Sequence, residues 1–480
     1  MNNWDVIVIG AGGAGLAAAI SAAEQGARVV ILESEKEIGG STQLSAGMFT
    51  AANTSVQRAL GVEDSAERFF QHYMDLNQWR LRPGLIKRFC DESGPTLEWL
   101  ITLGVDFPAK FSTNAHDPGL MQAGVEDVWR GHVPKDQGYG LVTALNQQRL
   151  AKGIDLFLDN RVEDLVVEDG QVRGIRIGGE LIEASAVIVA SGGFAHNSHL
   201  RRLYYPETLE AGEDLFIVAA PGSRGDHIRF AESSNAALTG HGQGLLMVTS
   251  YIQRLHHWQS GFPPRSRIYI NQAGDRFMNE DIPYAVSPGI VRDNGGSVWN
   301  VFDEKARNAL PDGYAHWNKE RIEQDARAGY MLSADTLEEL AAKMHVPADH
   351  LTAAVARWNE QLPNGQDPDF LRQATMQNKG DTKPLEPIAH PPYYAARTCP
   401  AELVCTHTGL TIDTEARVCD VRGAVIKGLY AAGEAGGGVL GNRYVGGGNS
   451  IANALTIGRI AGVSAARDAA QNVEQSTAAG

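Results

Sequence analysis

Residues 441–455 (GNRYVGGGNSIANAL) place Arg443 and Tyr444 directly ahead of Gly446-Gly447-Gly448, and Asn449-Ser450-Ile451 then opens a helical pattern. A helix start exposes unpaired N–H groups and positive potential, so it holds negative charge well. The chain has a second such start near its other end. Gly10-Ala-Gly12-Gly13-Ala14-Gly15 is G-x-G-x-x-G; it follows a short apolar run and opens a small-residue helix, and Glu33 closes the next apolar run. In that context Gly10 permits a tight turn, Gly12 lets the backbone approach a pyrophosphate, and Gly15 lets the helix pack on the sheet. Glu33 accepts from ribose hydroxyls and repels a 2′-phosphate. Past Glu33, Gly39-Gly40-Ser41-Thr42 gives a glycine turn with hydroxyls along which a longer cofactor extends. Near the far end, Gly433-Glu434 supplies a carboxylate for a ribityl chain, and the helix start at 447–451 suits an isoalloxazine that becomes negative near N1 and O2 on reduction. These features point to FAD rather than NAD. Ala452, Ala454, Gly458 and Gly462 equally allow close helix packing, so the second glycine start has a structural role open to it as well.

The elements that must position these groups follow from the apolar pattern. Runs at 5–10, 186–190 and 428–432 end against glycine, as parallel strands do where their carboxyl ends face a ligand crevice. The first run, a helix from about Ala14 to Gln25, and the run at 28–33 make a βαβ unit. Asp169-Gly170 between alternating runs predicts a hairpin over 164–177, and Ala273-Gly274 a turn within 271–280. Residues 336–362 read as two helices, the first with a Thr336/Glu339 capping box and the second beginning at Pro347. The proline-rich stretch 384–392 reads as a crossing between domains. The expected fold class is α/β: a discontinuous Rossmann-like FAD-binding domain of the glutathione-reductase type (1–242 and 403–470), with an inserted α+β capping or catalytic domain (243–402) and a disordered tail (471–480).

Bulk properties narrow the partners. A formal net charge of -15 without a basic run argues against nucleic acid and anionic membranes. Cys90, Cys399, Cys405 and Cys419 form no C-x-x-C pair and read as buried thiols of a reducing cytoplasm, although Cys399 and Cys405 have the option of bridging. Residues 6–23 are nearly all apolar, but four glycines interrupt them and no basic leader precedes them, so they read as strand, turn and helix rather than a signal peptide or membrane span.

Taken together, GAGGAG, GGST, VIVASGGF, PGSRGD, NQAGDRFMNE, TGLTID and GLYAAGEAGGGVLG resemble the fumarate reductase/succinate dehydrogenase flavoprotein superfamily over almost the whole chain. The resemblance implies a two-part FAD domain, a mobile inserted cap, and catalysis at flavin N5. It implies cofactor contacts from Ala46, Gly47, Val162, Ser191, Gly192 and Asp226 as well as the residues above. It also implies non-covalent FAD, because Ser41-Thr42-Gln43 has no histidine where the covalent branch carries one. Fumarate reductases carry a proton-donating arginine shortly after F-x-N-E; here Phe277-Met-Asn-Glu280 is followed by Tyr284. Their carboxylate-gripping His-His-Thr corresponds to Val404-Cys405-Thr406, with His407 out of register. The 3-ketosteroid dehydrogenase branch is more similar: its Tyr-x-Gly-x-Gly matches Tyr444-Val-Gly-Gly-Gly448 without a gap. There the tyrosine hydroxyl and the last glycine N–H bind a ketone oxygen, and a tyrosine placed like Tyr284 is the base.

Those roles fit desaturation beside a ketone, which needs an oxyanion site, a base for the α-proton and a hydride acceptor. One oxyanion donor is worth about 3 kcal/mol at the transition state. A phenol base must be brought from pKa ≈ 10 to about 7, roughly 4 kcal/mol. The expectation is an FAD-dependent CH–CH oxidoreductase that desaturates a cyclic ketone. Arg443 admits a smaller oxocyclohexane carboxylate, or else serves a structural ion pair. The rivals are a fumarate-reductase-like ene-reductase and a flavin electron-transfer protein; the sequence does not specify the electron acceptor. His407 reads as a structural or wall residue, Tyr251, Trp258 and Phe262 as either pocket lining or core, and His256-His257 as no metal signal at this spacing.

Overall fold

A computed structural model describes residues 4–362 and 367–479. The chain divides into two units: Met1–Glu207, Ala219–Leu245 and Val404–Gly480 form the first, Thr208–Val218 and Leu246–Leu403 the second.

The first unit is built on an α/β sheet. Its strands are β1 (Trp4–Ile9), β2 (Val29–Leu32), β3 (Asp155–Phe157), β4 (Asp164–Glu168), β5 (Gln171–Ile177), β6 (Glu180–Val189), β7 (Arg417–Cys419) and β8 (Val425–Ala431). The parallel core runs β3-β2-β1-β6-β8; β4 and β7 pair antiparallel with their neighbours, and β5 pairs antiparallel with β4 and β6 and parallel with β8. Val6–Ile9, Val29–Leu32 and Ala186–Val189 are buried throughout, as strands are in a parallel sheet covered on both faces. The strand order reverses between β1 and β6, and a doubly wound sheet opens its ligand crevice at such a point.

Two helices face each other beside that point: α1 (Gly13–Glu24) and α2 (Asn449–Ala479). Their approach depends on absent side chains. A Cβ on Gly458 would lie 2.5 Å from Ala14 O, and one on Gly462 2.2 Å from Ala18 O. The close-packing role read for these glycines is therefore real. The tail expected at 471–480 is, as a correction, helical through Ala479, continuing the helix that begins at Asn449.

The second unit centres on the long strand Tyr393–Thr406, which pairs with Val298–Asp303, Leu332–Ala334, Gly244–Ser250 and the two-residue strand Phe216–Ile217. Helices Leu337–Met344 and Ala348–Gln361 lie where the sequence predicted them; Thr336 Oγ1 accepts from the Glu339 amide, and Pro347 is the cap of the second helix rather than its first residue. All four cysteines are free thiols, so the optional Cys399–Cys405 bridge is absent.

Candidate active site

The carboxyl ends of the parallel strands gather the predicted nucleotide residues. Gly10 sits at φ 106°, and a Cβ there would lie 2.4 Å from Ala190 O at the end of β6; one on Gly15 would meet Gly10 O at 1.9 Å. Gly12, by contrast, has nothing nearer its missing Cβ than Gly39 O at 3.9 Å, so its backbone is open to approach. Glu33 is anchored by the Ala11 amide (2.6 Å) and the Glu35 amide (2.9 Å), which fixes its carboxylate beside the loop. The Gly13 amide donates to Thr42 Oγ1 (3.2 Å), tying the first glycine loop to the Gly40–Leu44 helix, and Ser41 Oγ accepts from the Ala220 amide. Gly40 and Gly47 adopt positive φ, and Ala46 lies between Gly47 and Ser45, whose hydroxyl accepts from the Gly47 amide. Thr42 and Ser41 thus serve the protein's own backbone.

The remaining nucleotide positions divide in the same way. The Asp226 carboxylate, expected to face the cofactor, is paired with Arg161 (2.7 Å) and Arg229 (3.1 Å), and the Val162 carbonyl also accepts from Arg229. Two guanidiniums claim the charge that the sequence alone left open. Ser191 is different: its hydroxyl is buried with no protein partner, next to Gly192 at φ 72°. The Asn449 and Asn453 side-chain oxygens on the first turns of α2 are likewise buried and unpartnered. Orphan polar atoms at both glycine starts, beside a cradle that only glycine permits, fit a bound FAD.

Glu434 follows β8 on a single 3₁₀ turn. Its Oε2 accepts from the Thr406 amide (3.0 Å) and hydroxyl (3.2 Å). A Cβ on Gly193 would come within 2.2 Å of that carboxylate, so Gly193 makes the approach possible. Burial pushes the Glu434 carboxyl up to about 7, against the two Thr406 hydrogen bonds that lower it.

The segment before α2 answers why a phenol and three glycines stand together. Tyr444 is buried, and its hydroxyl accepts from the Ser450 amide at 2.7 Å. The Ser450 N–H, expected for the cofactor, is therefore engaged by Tyr444. The Gly448 amide has no acceptor among the described residues. Each glycine of the run has its own cause: a Cβ on Gly446 would lie 2.3 Å from Glu126 Oε1, one on Gly447 2.2 Å from Met48 Sδ, and one on Gly448, at φ 89°, 2.2 Å from Met48 O. Glu126 is the residue that sequence reasoning missed. Its buried carboxylate accepts from the Gly447 and Gly124 amides at 2.5 Å each, and nothing in its local sequence announces this. Asn77 completes the loop, accepting from the Arg443 amide (2.9 Å) and donating to the Arg443 carbonyl.

Tyr444 packs beside an imidazole and a thiol. The His407 ring stacks at 6.4 Å, its Nδ1 is within hydrogen-bond reach of Gly441 O (2.9 Å), and burial pushes it down to about 4, so it is neutral. Cys405 Sγ lies 3.4 Å from both His407 Nε2 and Ser450 Oγ, with its thiol pushed up by burial. Burial likewise raises the Tyr444 phenol, which stays protonated, as a hydrogen-bond donor must. Arg443 is exposed and makes no ion pair among the described residues, so the structural salt bridge considered for it is not formed.

Tyr284 belongs to the second unit. It is half-buried in the turn before helix Ser287–Asp293. The residues leading to it are clamped by charge: Arg276 bonds Glu280 (2.8 Å) and Asp367 (2.6 Å), and Arg372 bonds Asp281 at 2.5 Å. Burial alone would raise the Asp281 carboxyl; Arg372 and Arg267 override it and hold it well below the usual range. In the same unit Tyr251 packs against the Phe302 and Trp317 cluster, whereas Phe262 is exposed beside His257.

Comparison with known proteins identifies the family. The model of the family described as FAD binding domain matches residues 5–451. A fumarate reductase (cytochrome) from Shewanella frigidimarina is 32% identical over 490 residues, covering 98% of this chain and 78% of that protein. The 3-ketosteroid-Δ4-(5α)-dehydrogenase of Rhodococcus jostii RHA1 superposes with a TM-score of 0.78 at 26% identity, over 97% of each chain. The 3-ketosteroid Δ1-dehydrogenase of Sterolibacterium denitrificans reaches a TM-score of 0.83 over 98% of this chain and all of that one; at 22% identity this is a likeness of fold. The chain belongs to the FAD-binding fumarate reductase/succinate dehydrogenase flavoprotein superfamily and is an FAD-dependent oxidoreductase.

Proposed function

We propose that this flavoprotein desaturates a cyclic ketone, introducing a carbon–carbon double bond α,β to the carbonyl. The observation that carries the reading is the buried, neutral Tyr444 phenol, hydrogen-bonded to the Ser450 amide at the start of α2 in a segment whose Gly448 amide has no acceptor among the described residues. FAD, held non-covalently in a discontinuous domain of the glutathione-reductase type, supplies a two-electron acceptor for hydride when bound. Gly10, Gly12 and Gly13 would receive its pyrophosphate, Glu33 its ribose, and Glu434 its ribityl hydroxyls.

In this mechanism Tyr444 and the Gly448 amide donate to the substrate oxygen as it gains enolate charge. Glu126 keeps the glycine run in the conformation that presents that amide. Tyr284 takes the α-proton; an arginine there would instead deliver a proton to a developing carbanion, which is why tyrosine at this position favours oxidation. The exposed, unpaired Arg443 supports a substrate that also bears a carboxylate. A fumarate-reductase-like ene-reductase is the second reading, favoured by the 32% identity to the Shewanella enzyme. Replacing Tyr444 by Phe tests the first. Removing one oxyanion donor lowers kcat by about 10²- to 10³-fold. Tyr284→Phe lowers it by a comparable amount, with FAD occupancy unchanged in both variants. Wild-type turnover in Tyr444→Phe would remove the oxyanion role.

A further inference from the structure

The second unit brings together three ligand-type side chains, two imidazoles and a carboxylate. His256 and His257 stand at the start of the short helix His257–Ser260, and Glu402 comes from strand Tyr393–Thr406, 145 residues beyond His257. Glu402 Oε1 lies 3.1 Å from His257 Nδ1 and 3.4 Å from His256 Nδ1, and the three ligand atoms fall within 4.8 Å of one another. Two donors bound at about 2.0–2.1 Å to a tetrahedral zinc ion sit ~3.3 Å apart, so the observed spacings are those of a coordination edge.

The polar bookkeeping asks for a cation. The Glu402 side chain is only 1% exposed; its Oε1 accepts from the His257 amide, but its Oε2 is buried without any partner. His256 Nδ1 is also buried without a hydrogen-bond partner. A Glu402–His257 ion pair would balance the charge and still leave both orphans. A metal ion bound by His256 Nδ1 and chelated by both Glu402 oxygens satisfies them together. Two imidazoles and one carboxylate suit zinc better than magnesium or calcium, which prefer all-oxygen shells. The His257 side chain is 26% exposed, which leaves room for a water ligand in the fourth position.

We propose that His256, His257 and Glu402 bind one Zn²⁺ per chain, fastening the 256–257 turn to the Tyr393–Thr406 strand. The test uses untagged, FAD-loaded full-length protein stripped with a chelator and titrated with Zn²⁺ against a chromophoric competitor. One equivalent should bind, with affinity falling at least a hundredfold in both His256→Ala and Glu402→Gln, and unchanged in His350→Ala. Zinc K-edge absorption on the wild type guards against misfolded variants: the shell should hold two imidazoles and an oxygen donor at ~2.0–2.1 Å. Absence of stoichiometric binding, binding unaffected by Glu402→Gln in folded protein, or a shell containing sulfur or only oxygen would overturn the site.

Discussion

Tyr444 and Glu434 are the two side chains near the glycine starts whose protonation matters most, and burial pushes both upward. For Tyr444 this keeps a donor protonated. For Glu434 it makes cofactor affinity depend on pH. Ribityl hydroxyls donate to a carboxylate, so FAD binding favours the ionised form and drives proton release. With a folded-state value of about 7, affinity for FAD should rise about tenfold between roughly pH 6 and pH 8. The same group acts oppositely on the stability of the apoprotein: its folded value lies above the unfolded one, so its contribution is present at low pH and is lost as pH rises through about 7. Calorimetric titration of apoprotein with FAD should show the pH slope in the wild type and a flat profile in Glu434→Gln; a slope surviving in the variant would assign it to another group. Arg443 gives a second prediction at this scale. Because it makes no ion pair, Arg443→Ala should raise KM about tenfold for a ketone bearing a carboxylate and leave a neutral ketone unaffected, the loss expected for one partly exposed charged hydrogen bond.

At the scale of elements, the site depends on close backbone approaches that glycine permits. Gly462→Val drives a side chain into Ala18 O, 2.2 Å from the Cβ position, and should cost about 1–3 kcal/mol. The check is a lower urea midpoint with unchanged slope; an unshifted midpoint would mean that α1 and α2 can separate at no cost. These helices, the β1-α1-β2 unit and the hairpin at 164–177 were legible because each has a local signature: periodicity, a glycine at a turn, or a capping residue. Glu126 was not legible, since its partners Gly447 and Gly124 are fixed by tertiary approach rather than spacing. The family resemblance implies a cofactor contact for Asp226, but no local signal shows its pairing with Arg161, 65 residues earlier. Glu402 and the histidines escaped for the same reason: ligand spacing is visible only when ligands are neighbours in sequence.

Across the whole molecule, family membership fixes the cofactor and the class of reaction, while the direction of that reaction rests on a few residues. The chain shares 32% of its residues with a fumarate reductase; the proposed direction rests on reading Tyr284 in the place of that branch's proton-donating arginine and Val404-Cys405-Thr406 in the place of its His-His-Thr. The second unit also takes in 208–218, whose two-residue strand pairs with Glu402 and Leu403, an excursion too short to leave a sequence signal. No helix among the described residues is long and apolar enough to cross a membrane. Anaerobic titration of the FAD-loaded enzyme with 3-ketosteroids and with 4-oxocyclohexane carboxylate, followed by flavin absorbance, tests the central claim most directly. Desaturation of a ketone predicts stoichiometric bleaching by at least one of them, reached about 10²- to 10³-fold more slowly in Tyr284→Phe. An oxidised spectrum unchanged by every ketone, together with rapid reoxidation of the reduced enzyme by fumarate or urocanate, would contradict it.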